Sequence, residues 1–277
     1  MIEIQVILLW ITVVLYAVSA GLYIYGFTFQ NEKKFPLAGY IATAGLVPQS
    51  AAIIIRWIDQ GHGPYMTYFE GLNSMVWVGM ALFLILNWRV PAYRFLGIGV
   101  MPFSFLLIGA AVLQNPELEP IPPTFGTFWL LVHVIFAKIS YGACLIATGF
   151  GIVYLIKKKQ QSQDELTPFY KRLPSLEVLD ELSYKFTAFG FIMIIIMIIS
   201  GAIWANKAWG RYWGWDPVET WSLISWFLYG IYLHLRITYG WRGSKAAWYS
   251  IASLAVLLFA IFGVAAFYAG AHSAYFK

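Results

Sequence analysis

Long apolar runs constrain this chain more than any other feature. They cover residues about 6–27, 37–58, 71–88, 94–114, 127–156, 185–204, 219–237 and 246–269. Many approach or exceed the roughly 20 residues that carry a helix across a bilayer. Inside hydrocarbon every backbone N–H and C=O must be paired within the protein, which leaves helices or closed barrels. The runs are too long for barrel strands and do not alternate. An all-α polytopic membrane protein of about eight transmembrane helices is therefore expected, as a single integral membrane domain over 1–277 whose surroundings are a lipid bilayer. Composition agrees: 60% of residues are hydrophobic and 11% are charged, against about 25% charged in soluble domains. The first run, Val6 to Phe27, has neither a basic leader nor a small-residue cleavage site, and reads as a span.

The net charge of +5 does not point to nucleic acid, because the basic residues cluster in short loops as membrane topology requires. Loops after spans 1, 3, 5 and 7 hold Lys33 and Lys34; Arg89 and Arg94; Lys157, Lys158, Lys159, Lys171, Arg172 and Lys185; and Arg236, Arg242 and Lys245. The opposite side holds Arg56, Lys207, Arg211 and Lys277, with Asp59, Glu70, Glu117 and Glu119. The first set is expected in the cytoplasm, which puts both termini on the outer, extracytoplasmic face. The expected cytoplasmic loop is 157–184, and the leucine spacing in PSLEVLDELSYK predicts a short helix lying against the inner surface. Outer loops NPELEPIPPTFG and GHGPYMTYFE are turn-rich and fit a cap over an outward site. One cysteine, Cys144, excludes an internal disulfide, a CxxC pair and a thiolate cluster. No Walker A motif or GxGxxG is present.

Four histidines remain: His62, His133, His234 and His272. Ionisable groups within spans are costly and are functional candidates. His133 falls just inside the outer end of span 5 and His272 beyond the outer end of span 8. His62 lies in an outer loop. His234 lies about 15 residues along span 7, roughly 22 Å inward. Each alone reads as an interfacial or hydrogen-bonded residue. Together, His133 and His272 can meet from different helices at the level of a tryptophan-rich loop. Imidazoles suit iron, copper and zinc, and two opposed imidazoles beside an aromatic wall suit a planar cofactor with two axial positions, haem. Lys138 in span 5 has two open readings: a snorkelling or internally paired cation, or a partner for a propionate or buried acid.

The tryptophan-rich loop, residues 206–220, contains AWGRYWGWDPVET. Scattered tryptophans mark headgroup level, but Trp209, Trp213 and Trp215 packed with Gly210, Tyr212 and Gly214 predict an aromatic shelf for a large π-system. Asp216, Pro217 and Glu219 fit the N-cap, N1 and N3 positions of span 7. That assigns both acids to fixing the helix start. Arg211 and Lys207 are candidate propionate contacts or plain loop charges.

With these residues in view, Trp209-Gly210, Trp213, Trp215-Asp216 and Glu219 resemble the WWD signature of haem-handling membrane proteins. The following WSLISWFLYGIYLHLR is similar to one branch, the CcsA (ResC) subunit of the System II cytochrome c synthetase. The resemblance runs over most of the chain, from GHGPYMTYFE onward. It implies that His133 and His272 are outer axial haem ligands and that His234 is an inner membrane haem ligand. The counterpart of His234 would come from a CcsB/ResB-type partner. It also implies transport of haem b (reduced iron protoporphyrin IX) to the outer face for attachment to the CxxCH motif of apocytochrome c, a lyase-type activity. The membrane would be the bacterial cytoplasmic membrane or the equivalent thylakoid membrane. Two other readings stand beside it: a CcmC-like haem chaperone, whose pattern is shorter and lacks the inner histidine, and a diheme electron carrier, which needs paired histidines at both levels. A non-haem transporter with an aromatic lid is a third class.

Overall fold

The structure, a computed structural model, describes residues 1–117, 126–163 and 167–267. Among the described residues all regular structure is helical. The chain divides into two compact units, Met1–Ile121 and Pro122–Lys277.

The first unit is built from α1 (Ile2–Thr28), α2 (Lys34–Gln60), α3 (Tyr68–Arg89) and, after a 3-10 turn over Pro91–Leu96, α4 (Gly97–Val112). Lipid tails are as apolar as leucine, so helices in a bilayer associate through close packing and interhelical hydrogen bonds. Both devices are present. Tyr16 Oη donates to Gln49 Oε1 at 2.7 Å, Ser19 Oγ to the Ala38 carbonyl at 2.8 Å, and Tyr23 Oη to Asn87 Oδ1 at 2.9 Å. Gly45 gives Tyr16 its room: a Cβ there would lie 2.6 Å from the ring. One end is tied by a buried ion pair, Arg56 Nε to Glu70 Oε1 at 2.8 Å. Arg56 also donates to the carbonyls of Pro116 and Glu117, and Glu70 Oε2 accepts the Met66 amide at 2.8 Å.

The second unit is organised on two long antiparallel helices, α5 (Phe128–Ser162) and α7 (Leu176–Trp209), with the short α6 (Pro168–Arg172) between them. At 1.5 Å per residue the 35 residues of α5 run for about 52 Å, well beyond a hydrocarbon core of roughly 30 Å. α8 (Pro217–Tyr239) and α9 (Ser244–Leu258) complete the unit. A π-turn over Phe259–Gly263 and a short α10 (Val264–Phe267) follow. Cys144, Ile194, Met197, Tyr229 and Leu257 form its apolar centre. At one end Arg236 Nη2 reaches Asp180 Oδ2 at 2.8 Å and Glu181 Oε2 at 3.3 Å. Asp180 Oδ1 also accepts the Gly243 amide at 2.7 Å, which locks the ends of α7, α8 and α9 together.

Helical segments stand at all eight expected positions, but two expectations change. Seven of the eight are long and apolar enough to cross a membrane; α8 is not. It carries Glu219, Thr220, Ser222, Ser225, His234 and Arg236 among its aromatics, so its length suffices while its composition does not. The separate surface helix expected over PSLEVLDELSYK is instead the first part of α7. Ser175 caps it by accepting the Val178 amide at 3.3 Å, and the helix continues unbroken to Trp209. Nothing between Leu176 and Trp209 interrupts the helix, since that range contains no proline.

Candidate functional site

The tryptophan-rich loop is narrower than the sequence suggests. Residues 206–209 are the last turn of α7 and 217–220 the first turn of α8, so only seven residues, 210–216, are irregular. Both flanks are fixed by local chemistry. Gly210 ends α7 in the left-handed region at φ 73°, its amide closing on the Asn206 carbonyl, a conformation that costs a residue with a Cβ roughly 1–2 kcal/mol. Asp216 starts α8 as expected. Its Oδ1 accepts the Val218 amide at 3.0 Å, and Glu219 answers from N3 to complete a capping box.

Glu219 does more than cap. Its Oε2 accepts the amides of Gly214 at 2.8 Å and Asp216 at 3.1 Å. These two bonds bracket Trp215, which sits at φ 56°, a region that bulky residues enter only under constraint. Trp215 is 70% exposed. The loop therefore holds a large aromatic ring outward in a strained backbone state, with one carboxylate fixing the residues on each side.

Beside the loop lies an open cleft of about 410 Å³, part of it open to solvent. His133 of α5 forms one side. Met197, Gly201, Trp204 and Ala205 of α7 form another, Tyr212 and Trp213 of the loop a third, and Val218, Glu219 and Ser222 of α8 close it. His133 stands about a turn and a half into α5. Its Nδ1 lies 2.8 Å from the Met197 carbonyl oxygen. A carbonyl only accepts, so Nδ1 carries the proton, and a neutral ring then has its lone pair on Nε2. Ligating histidines are typically held this way, with the second ring nitrogen donating to a carbonyl or carboxylate. Gly201 allows the approach: a Cβ there would lie 2.6 Å from His133 Nδ1 and 2.9 Å from Cε1.

The structure brings His133, Trp213 and Glu219 to one cleft and sorts the other sequence candidates around it. The three loop tryptophans do not share a plane. Trp213 and Trp215 are perpendicular, at 89° with centroids 5.7 Å apart. Trp209 packs edge-on against Trp204 at 4.9 Å. In place of the expected flat shelf, Trp213 and Trp215 form a corner. Lys207 and Arg211 are exposed, and the Arg211 guanidinium lies over Gly214. His234 is exposed on α8, 15 residues beyond Glu219, with Nδ1 3.3 Å from Thr238 Oγ1. His62 is in the first unit, its Nδ1 2.7 Å from the Gly63 carbonyl oxygen. Lys138 is buried. His272 lies outside the described residues. Sequence reasoning placed Tyr212 in the loop but missed Met197, Gly201, Trp204 and Ser222. Trp204, five residues before Trp209, was the one detectable signal.

Among the described residues no three His, Cys, Asp or Glu side chains gather to hold a bare ion. One oriented imidazole in an aromatic cleft instead fits a metal that arrives inside its own macrocycle. The cleft residues thus fit haem: His133 would supply a ligand nitrogen, and Trp204, Tyr212 and Trp213 an aromatic lining.

Comparison with known proteins decides the family. The profile of the cytochrome C assembly protein family matches residues 65–272. The chain belongs to that family. Members similar to it over most of its length include the cytochrome c biogenesis protein CcsA of Guillardia theta, 33% identical over 95% of this chain and 94% of that protein. CcsA of Prochlorococcus marinus strain NATL2A is 36% identical over 81% of this chain and 80% of that one. CcsA of Chlamydomonas reinhardtii is 34% identical over 80% of this chain, which spans 63% of that protein. Among solved structures, the cytochrome c heme lyase CcmF shares the fold with a TM-score of 0.69 at 13% identity. The alignment covers 94% of this chain and 46% of the lyase, so this chain spans just under half its length. Cytochrome c assembly family membership places this multi-pass helical protein in c-type cytochrome biogenesis.

Proposed function

We propose that this chain is the haem-presenting subunit of a cytochrome c synthetase. With a CcsB/ResB-type partner it moves reduced haem b to the outer face and holds it for apocytochrome c. Each thiol of the CxxCH motif then adds across a haem vinyl group: sulfur bonds to one vinyl carbon, and the hydrogen goes to the other. The thiols belong to the substrate, since the single cysteine here, Cys144, is buried. The membrane is the bacterial cytoplasmic membrane or its thylakoid equivalent, with the loop between α7 and α8 outward as the distribution of Lys and Arg requires.

The observation that supports this reading is the His133–Met197 hydrogen bond, which puts the proton on Nδ1 and makes Nε2 the acceptor nitrogen of a histidine that lines an aromatic cleft. His272 is the second outer ligand. His234, an imidazole on the exposed side of α8 in line with Phe227 and Ile231, is an inner ligand completed by the partner. The protein's contribution is positioning and control of ligation, the usual role of a protein toward a reactive cofactor. Two ligands on the iron restrict access by oxygen, and the histidine of CxxCH replaces one of them at release.

The test is holocytochrome c formation by the chain purified with its partner. His133→Gly should abolish attachment, and added imidazole should restore part of it. His234→Ala should lower the haem that reaches the outer site without altering the loop. Full attachment by His133→Gly without imidazole overturns the reading, and normal outer loading in His234→Ala overturns the inner-ligand assignment.

A further inference from the structure

His133 is held by a carbonyl that has a second suitor. Ser200 is 2% exposed, and its Oγ lies 3.0 Å from the Met197 oxygen and 2.6 Å from the Ile196 oxygen. A serine hydroxyl has one proton. It can serve the Ile196 carbonyl, which faces along α7, or the Met197 carbonyl, which already receives the His133 Nδ1–H at 2.8 Å. In the second arrangement the Met197 oxygen, which also takes the Gly201 amide of its own helix, is shared among three donors, and its bond to the imidazole weakens. Burial keeps bulk water from scrambling the choice. Gly201, the next residue, fixes the ring at the distance where this competition is felt, because a Cβ at that position would drive the ring off the carbonyl.

We infer that the α7 turn Met197–Gly201 is a tuning element for His133: Ser200 sets how strongly the Met197 carbonyl draws on Nδ1–H, and so how electron-rich Nε2 is toward a bound iron. Ser200 is a positioning residue, acting through His133. Outer-ligand basicity is what hydrogen bonding to the far nitrogen controls, and a more basic ligand favours the oxidised metal. The inference rests on the haem reading of the cleft. Its chemistry at Nε2 can nevertheless be read without haem.

The first measurement uses full-length chain purified from haem-deficient cells and follows carbethoxylation of His133 by diethyl pyrocarbonate, scored by mass spectrometry. Ser200→Ala removes the competing donor and should raise the rate two- to threefold, while Ser200→Thr, which keeps the hydroxyl, should match the parent. The second measurement is a potentiometric titration of the haem-loaded protein with its partner. Ser200→Ala should raise the oxidised-to-reduced ratio at fixed potential about threefold, which is a fall of roughly 28 mV for a one-electron couple. On a Gly201→Ala background the ring has left the carbonyl, so adding Ser200→Ala should change neither readout. An unchanged carbethoxylation rate in Ser200→Ala overturns the tuning element whatever the haem does. A raised rate with an unmoved potential, in protein whose haem spectrum still depends on His133, also overturns it and leaves the haem reading intact. A haem spectrum indifferent to His133 overturns the haem reading instead.

Discussion

Removing the Glu219 carboxylate separates a structural from a chemical role for the acids of the loop. One oxygen, Oε2, accepts two backbone amides on either side of Trp215. Glu219→Ala leaves both without that partner. A buried amide that loses its acceptor costs about 1–3 kcal/mol, and these two are only partly buried, so a combined loss of about 2 kcal/mol is expected. The strain of about 1–2 kcal/mol at Trp215, φ 56°, is relieved on opening in parent and variant alike and does not enter the difference. At 1.4 kcal/mol per tenfold, a 2 kcal/mol loss speeds local opening about 30-fold. Hydrogen exchange of the Gly214 and Asp216 amides, followed by mass spectrometry in detergent or nanodiscs, reads this directly. Glu219→Gln keeps an acceptor at N3, where glutamine also completes a capping box, so its exchange should stay within a few-fold of the parent and its haem content should be retained. If Glu219→Gln loses haem as fully as Glu219→Ala while both amides stay protected, the carboxylate acts chemically and the scaffold argument fails.

Trp215→Gly should stabilise the loop by roughly 1 kcal/mol while Trp215→Ala should not, because alanine keeps the Cβ that makes φ 56° unfavourable; thermal unfolding of the two variants makes the comparison. Gly210→Ala should cost about 1 kcal/mol by placing a Cβ in the left-handed cap of α7, seen as faster exchange at the end of that helix. Arg56→Ala strands Glu70, which is 1% exposed, and should destabilise the first unit by about 3–5 kcal/mol, whereas the paired change Arg56→Met with Glu70→Leu should cost far less. Denaturant unfolding of the single and double variants should separate them, and equal losses would refute the buried-pair argument.

The helical framework was legible because hydrocarbon leaves few choices. Each apolar run became a helix near its expected bounds, and charged stretches moved only the ends. α5 continues through Lys157, Lys158 and Lys159 to Ser162, since lysine is a good helix former and an apolar window stops where charges cluster. The capping box was legible for a related reason, because its spacing is local. The cleft was only partly so. His133 and Trp213 stand out by residue type, but the group that orients His133 is the Met197 carbonyl, and a backbone oxygen has no signature in sequence. Gly201 is one glycine among 24, and its reason is a ring from another helix. The mutual angles of the tryptophans depend on loop dihedrals that residue type does not set, which is why a shelf was expected and a corner was found.

The central claim is that His133 Nε2 faces a haem iron at the outer cleft. Electron paramagnetic resonance of the ferric form, purified with its partner, tests it most directly. The parent should give a low-spin, six-coordinate signal, His133→Gly should shift to a high-spin signal, and added imidazole should return it to low spin. A low-spin signal in His133→Gly, unchanged with or without imidazole, would contradict the account.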